Sequence, residues 1–241
     1  MTRDDVIATA AERMQAQLER VTDVADLTEQ EQASLPDWWT ELITAEPPEA
    51  VRLTVSQWYR QLSRPLLPRF LSVLTERGID VALVRVTSTH HTGLALLYSV
   101  RYSDALDRYV CGLPPRAALS GEATKLPGSF QDFYTTIHAG MYFQLNNAHA
   151  LVKPDELMTW REWSYEEEIS FLFDPPSFVP TPESLYIVFN DCGGAMVLVD
   201  TDPADPGVWA VDVGMLDDRA HQYRSTWELL DDWISGWFTP I

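Results

Sequence analysis

The hydrophobic period changes near Asp80, and that change limits the folds open to the chain. Before it, apolar residues recur at three- and four-residue spacings with Ala-rich filling, the mark of amphipathic helices. After it, "DVALVRVTS" and "GLALLYSVRYS" are dense in β-branched and apolar residues and are separated by the turn-rich "TSTHHTG", which predicts an antiparallel hairpin. Helical segments ahead of this hairpin are followed by further strand-like segments and by two later helices. They predict an α+β fold: a mostly antiparallel sheet packed against helices, with a largely helical N-terminal extension.

Local signals place the elements. "RDDVIATAAERMQAQLERV" puts Val6, Ile7, Ala10, Met14, Leu18 and Val21 on one stripe and reads as one helix. "TEQE", Thr28 to Glu31, has the form of a capping box, and Pro36 opens a helix in "LPDWWTELI". "AEPPEA" reads as an interruption, with helical spacing resuming at Val51, and a further helix is expected from Pro68 to Arg77 with Gly78 as a left-handed stop. "RYVCGL" extends the hairpin by a third strand, and the Pro- and Gly-containing "PPRAALSGEATKLPG" divides the chain into residues 1–112 and 113–241.

The second part opens on "LPGSFQDFYTTIHAG", a short helix with Ser129 as cap, Phe130, Phe133, Tyr134 and Ile137 on one face, His138 in the last turn where the helix dipole favours it, and Gly140 closing it. "SLYIVFN", "AMVLVD" and "GVWAVDVG" read as an antiparallel meander. "STWELLDDWISGWF" ends the chain as a helix capped by Ser225, with Glu228 three residues on.

The formal net charge is −19, and it is unevenly placed. Residues 1–153 hold 18 acids and 14 bases, whereas residues 154–241 hold 18 acids and only Arg161, Arg219 and Arg224 as bases. A polyanion needs a Lys/Arg face that releases its counterions, so nucleic acid is not an expected partner; a basic protein is. Two cysteines outside any CxxC pair give no disulfide framework. The acidic start is unlike a signal peptide and no apolar run is long enough to span a membrane, so a cytoplasmic protein without a membrane partner is expected.

No cofactor or metal is expected either. His90, His91, His138, His149 and His221 show no zinc spacing, and "DTDPADPG" lacks the glycine and later glutamate of a calcium loop. Cys111 sits in apolar company that predicts a buried, inert thiol, and no nucleophile, phosphate or dinucleotide motif is present. Trp160 and Trp163 read as core, and the consecutive Glu166, Glu167 and Glu168 as a solvated charge run.

From Leu126 onward the chain resembles the SUKH superfamily, bacterial immunity proteins of polymorphic toxin systems together with fungal cell-wall-synthesis regulators. The likeness lies in the LP followed by an aromatic helix and closing Gly of "LPGSFQDFYTTIHAG", the strand, turn and strand of "LYIVFNDCGGAMVLVDTD", and the last strand and helix, "GVWAVDVG" and "STWELLDDWISGWF". The resemblance implies a non-catalytic α+β domain over residues 113–241 that binds a cognate toxin and occludes its active site. Charge density nominates Glu166, Glu167, Glu168, Asp200, Asp202, Asp205, Trp209, Asp217 and Asp218 as contacts to a basic toxin surface. A scaffold or regulatory protein of the same fold is the alternative. An enzyme is the remote third reading, revived if a pocket gathered His90, His91 or Cys111 with acids.

Overall fold

The computed structural model describes residues 2–89, 91–104, 106–145, 149–166, 183–201, 208–212, 215–216 and 223–240, with the backbone alone at 149, 164–166, 211–212 and 215–216. Helix α1 (Arg3–Met14) starts on a capping box between Thr2 and Asp5 and stops at Gln15, whose φ is +53°. The chain then turns back as β1 (Gln17–Arg20), so Leu18 belongs to a strand and not to the helical stripe its spacing suggested. Helices α2 (Glu29–Ser34), α3 (Asp37–Thr44), α4 (Pro47–Gln61) and α5 (Pro68–Arg77) follow. The prolines of "AEPPEA" open α4 instead of breaking it, because the first helical positions need no N–H partner.

Strands β2 (Gly78–Thr87), β3 (Thr92–Ser103) and β4 (Leu106–Gly112) form the expected hairpin and its third member. Gly78 is extended, not left-handed. Glycine is required there because a Cβ would lie 2.3 Å from the Leu74 carbonyl oxygen. Helix α6 (Gly128–Thr136), β5 (Met141–Tyr142), β6 (His149–Leu151) and α7 (Trp160–Glu166) lead to β7 (Leu185–Asn190), β8 (Met196–Asp200), β9 (Val208–Asp212), β10 (Met215–Leu216) and α8 (Thr226–Phe238). All ten strands join one antiparallel sheet in sequence order. The boundary expected at 112/113 falls inside it: Cys111 pairs with Tyr142 and Gly112 with Met141.

Helices cover both faces of β2 to β5, which is why these strands read as continuous apolar runs. Val81, Leu83, Leu94, Leu96, Tyr98 and Val110 face the main core with α3, α4, α5, α6 and α8. Ala82, Val84, Ala95, Leu97, Tyr109 and Cys111 face Val6, Ile7, Ala10 and Met14 of α1. In the main core Trp58 and Phe70 have centroids 5.8 Å apart, Phe70 and Phe238 5.6 Å, and Phe130 stacks on Trp227 at 4.4 Å. Trp160 is buried in it and Trp163 packs against it. Among the described residues no helix is long and apolar enough to cross a membrane.

Candidate functional site

A cleft of about 890 Å³ opens where α2, the start of β3 and the segment after β4 approach one another, a size suited to a ligand. Leu35, Pro36, Pro114, Pro115 and Arg116 line it together with His91 to Leu94. The charged residues at its rim are already engaged. Glu31 Oε2 accepts from the Thr28 N–H at 2.9 Å and from Arg85 at 3.0 Å, and these bonds, the backbone one foremost, hold its carboxyl below the usual range. Arg116 pairs with Asp155, and its backbone N–H donates to the Tyr134 carbonyl at 2.9 Å.

His91 also lines the cleft. Its backbone closes the turn through Ser88, whose hydroxyl accepts from the His91 N–H at 3.0 Å. Among the described residues its buried ring Nε2 has no hydrogen-bond partner. Burial lowers its pKa, the Leu94 backbone pulls it partly back up, and Lys153 and Arg116 add to the lowering against Glu156. The imidazole is therefore mainly neutral at pH 7, able to accept or donate.

His138 has a different role from the one its place after a helix suggests. It is completely buried, its ring within 5.6 Å of the rings of Trp39, Trp58 and Tyr98. Its Nδ1 lies 3.0 Å from the Leu113 carbonyl and its Nε2 2.6 Å from the Tyr98 hydroxyl. The carbonyl can only accept, so Nδ1 carries the proton and the Tyr98 hydroxyl donates to Nε2. Burial lowers its pKa to about 3, so the ring is neutral and the dipole explanation fails. Cys111 is buried as expected, its Sγ 3.8 Å from Met14 Sδ, and burial pushes the thiol pKa up.

The nominated contacts separate into two sets. Asp200 and Trp209 are described, and both are buried, 5% and 6% exposed. They cannot be surface contacts: strands β8 and β9 place Trp209 opposite Leu198, with both side chains in the main core. Glu166 ends α7 with only its backbone described, and Glu167, Glu168, Asp202, Asp205, Asp217 and Asp218 lie outside the described residues. Other acids of residues 154–241 have structural partners. Asp191 accepts from Gly193 and Ala195 N–H groups, Glu183 pairs with Arg161, Glu162 caps at Thr159, and Asp232 pairs with Arg69 and Tyr223. Among the described residues no three His, Cys, Asp or Glu stand together as metal ligands.

A second groove of about 590 Å³ lies beside α8, walled by Phe143, Phe189, Trp233 and Trp237. Arg108 fills part of it, its guanidinium 3.8 Å from the Tyr102 ring centroid and 4.5 Å from that of Trp237. Sequence reasoning missed both grooves. His91 was visible as a residue, but nothing local shows that α2 and Pro115 close around it. Comparisons with protein-family models, with curated proteins and with solved structures found no match.

Proposed function

We propose that this chain is an immunity protein of SUKH-like type, which binds a cognate toxin with a basic surface and blocks its active site without catalysis. The observation that carries the reading is the charge asymmetry: residues 154–241 contain 18 acids against three bases. Such a field attracts a basic groove from a distance and raises the rate of encounter, with an effect that weakens as salt screens it. The segments that resemble the family form a helix, a hairpin and a final strand with helix, an arrangement compatible with the reading.

The steering charge is assigned to Glu167, Glu168, Asp202, Asp205, Asp217 and Asp218, since the acids beside them in sequence serve caps, turns and ion pairs. The test is co-expression with the product of the neighbouring gene. Restored growth together with co-purification is the expected result. With a partner in hand, Asp202→Lys with Asp205→Lys should slow association about tenfold at low salt and flatten its salt dependence. A neighbouring product that is harmless alone and does not co-purify overturns the immunity reading in favour of a regulatory interaction protein.

A further inference from the structure

We infer that the groove beside α8 binds a small molecule with a flat apolar ring system and a single carboxylate, and that Arg108 is the group that holds the carboxylate. Its volume of about 590 Å³ is that of a ligand site. The chain carries 36 acids against 17 bases, so an arginine with no acid beside it is unexpected. Arg69 pairs with Asp232 and Arg101 with Asp107, yet the half-buried Arg108 pairs with no carboxylate among the described residues. Its guanidinium lies over the rings of Tyr102 and Trp237, 3.8 Å and 4.5 Å from their centroids, and donates one N–H to the Trp237 carbonyl. Ring contacts use the face of a guanidinium. The other N–H groups lie in its plane, where a carboxylate can accept two of them side by side.

The rest of the groove specifies the body of the ligand. Phe143 and Phe189 belong to the core, whereas Trp233 and Trp237 are only half-buried. The four rings form one row: Trp233 meets Phe189 at 5.4 Å, Phe189 meets Phe143 at 6.2 Å, and Phe143 stacks on Trp237 at 4.8 Å. Trp237, at the end of the row, is also the ring beneath Arg108, so apolar ring surface adjoins the cation. Gly236 lines the same groove and has no reason within the described fold to be glycine. Its φ is not left-handed, and a Cβ built on it meets nothing within 4 Å. Glycine inside a helix destabilises it, and what it leaves here is open space beside the rings. Asp191 and Asp232 also line the groove, but Asp191 accepts from two turn N–H groups and Asp232 is held by Arg69 and Tyr223. The unmet charge is therefore positive. A formal net charge of −19 repels a polyanion or an acidic protein surface, which leaves a compact ligand with one carboxylate as the occupant. The site stands on ring and guanidinium geometry and not on the acidic surplus, so it goes beyond the immunity reading and holds or fails independently of it.

The test titrates the full chain with benzoate, naphthoate and indole acetate, each beside the alcohol of the same skeleton, while nuclear magnetic resonance follows the tryptophan indole N–H signals. At least one carboxylate should bind saturably, shift the signals of Trp233 and Trp237 while that of Trp58 stays in place, and bind about tenfold more tightly than its alcohol. Arg108→Gln should remove the preference for the carboxylate. Gly236→Leu, which adds a side chain where a Cβ meets nothing, should weaken binding about tenfold with the melting temperature unchanged or raised. That variant decides the question if loss of the bond to the Trp237 carbonyl leaves Arg108→Gln poorly folded. The inference is overturned if no carboxylate of the panel binds, if acid and alcohol bind equally, if Trp58 shifts in place of Trp233 and Trp237, or if Gly236→Leu binds as the natural chain does.

Discussion

Protonating His138 would put a charge among Trp39, Trp58, Tyr98 and Phe133, with no anion beside it among the described residues, and this sets a pH dependence. The folded pKa is about 3 and the unfolded one about 6.5. Between those values the unfolded chain binds one proton that the folded chain refuses. Stability is therefore complete above about pH 6.5 and falls by about 1.4 kcal/mol for each pH unit of acidification through that window. Urea unfolding at pH 7.5 and 5.5 should show this loss in the natural chain and a smaller one in His138→Gln, which has nothing to protonate. Equal losses would show that the ring is not the acid-sensitive group. The site also tolerates little change of shape, since a Cβ at Gly112 would lie 2.4 Å from His138 Cε1. No sequence pattern announces this, because Tyr98, Gly112 and His138 meet only through the sheet.

Helix α5 shows the same division between local and distant information. Its start at Pro68 was legible from the proline, but its N-cap, Leu67, offers no side-chain hydrogen bond. The first-turn donors are met from α8: Asp231 accepts from Arg69 N–H at 2.8 Å and Phe70 N–H at 2.9 Å. Asp231 is 2% exposed, and its burial raises the carboxyl pKa, with the two backbone bonds opposing. Asp231→Ala should cost about 2–4 kcal/mol by leaving buried N–H groups unpaired, measured by denaturant unfolding; a loss below about 0.5 kcal/mol would mean that water replaces the carboxylate. Caps whose partners lie three residues apart, Thr28 with Glu31 and Ser225 with Glu228, were readable in the sequence. Ser129 was not: it looked like a cap, yet its hydroxyl accepts from Trp227 Nε1 at 2.9 Å. β1 was misread as helix because Leu18 and Val21 fit the helical period, while their pairing with β2 depends on residues some 65 positions away. The cleft was illegible for the same reason, being a property of where β4 ends relative to β3.

At the scale of the whole molecule, the acidic C-terminal third is anchored to the helical N-terminal region instead of standing apart. β4 hands the sheet to β5 across 112/113, Phe130 and Phe133 of α6 pack with Trp58 and Trp227, and α8 lies against α5 with Arg77 donating to the Phe238 carbonyl. A fragment starting at residue 113 would expose the unpaired edge of β5 and the aromatic faces of α6 and α8, about the most expensive surface it could show to water. The full chain should accordingly unfold in one transition, with tryptophan fluorescence and far-ultraviolet circular dichroism coincident. Residues 113–241 expressed alone should give no cooperative melt. Two separated transitions, or a fragment that melts as the full chain does, would show that the second half folds by itself. The single-transition outcome bears on binding too: any partner held by the C-terminal acids draws on stability supplied by α4 and α5, so destabilising Trp58 or Phe70 should weaken binding at a distance, in proportion to the fraction of chain unfolded.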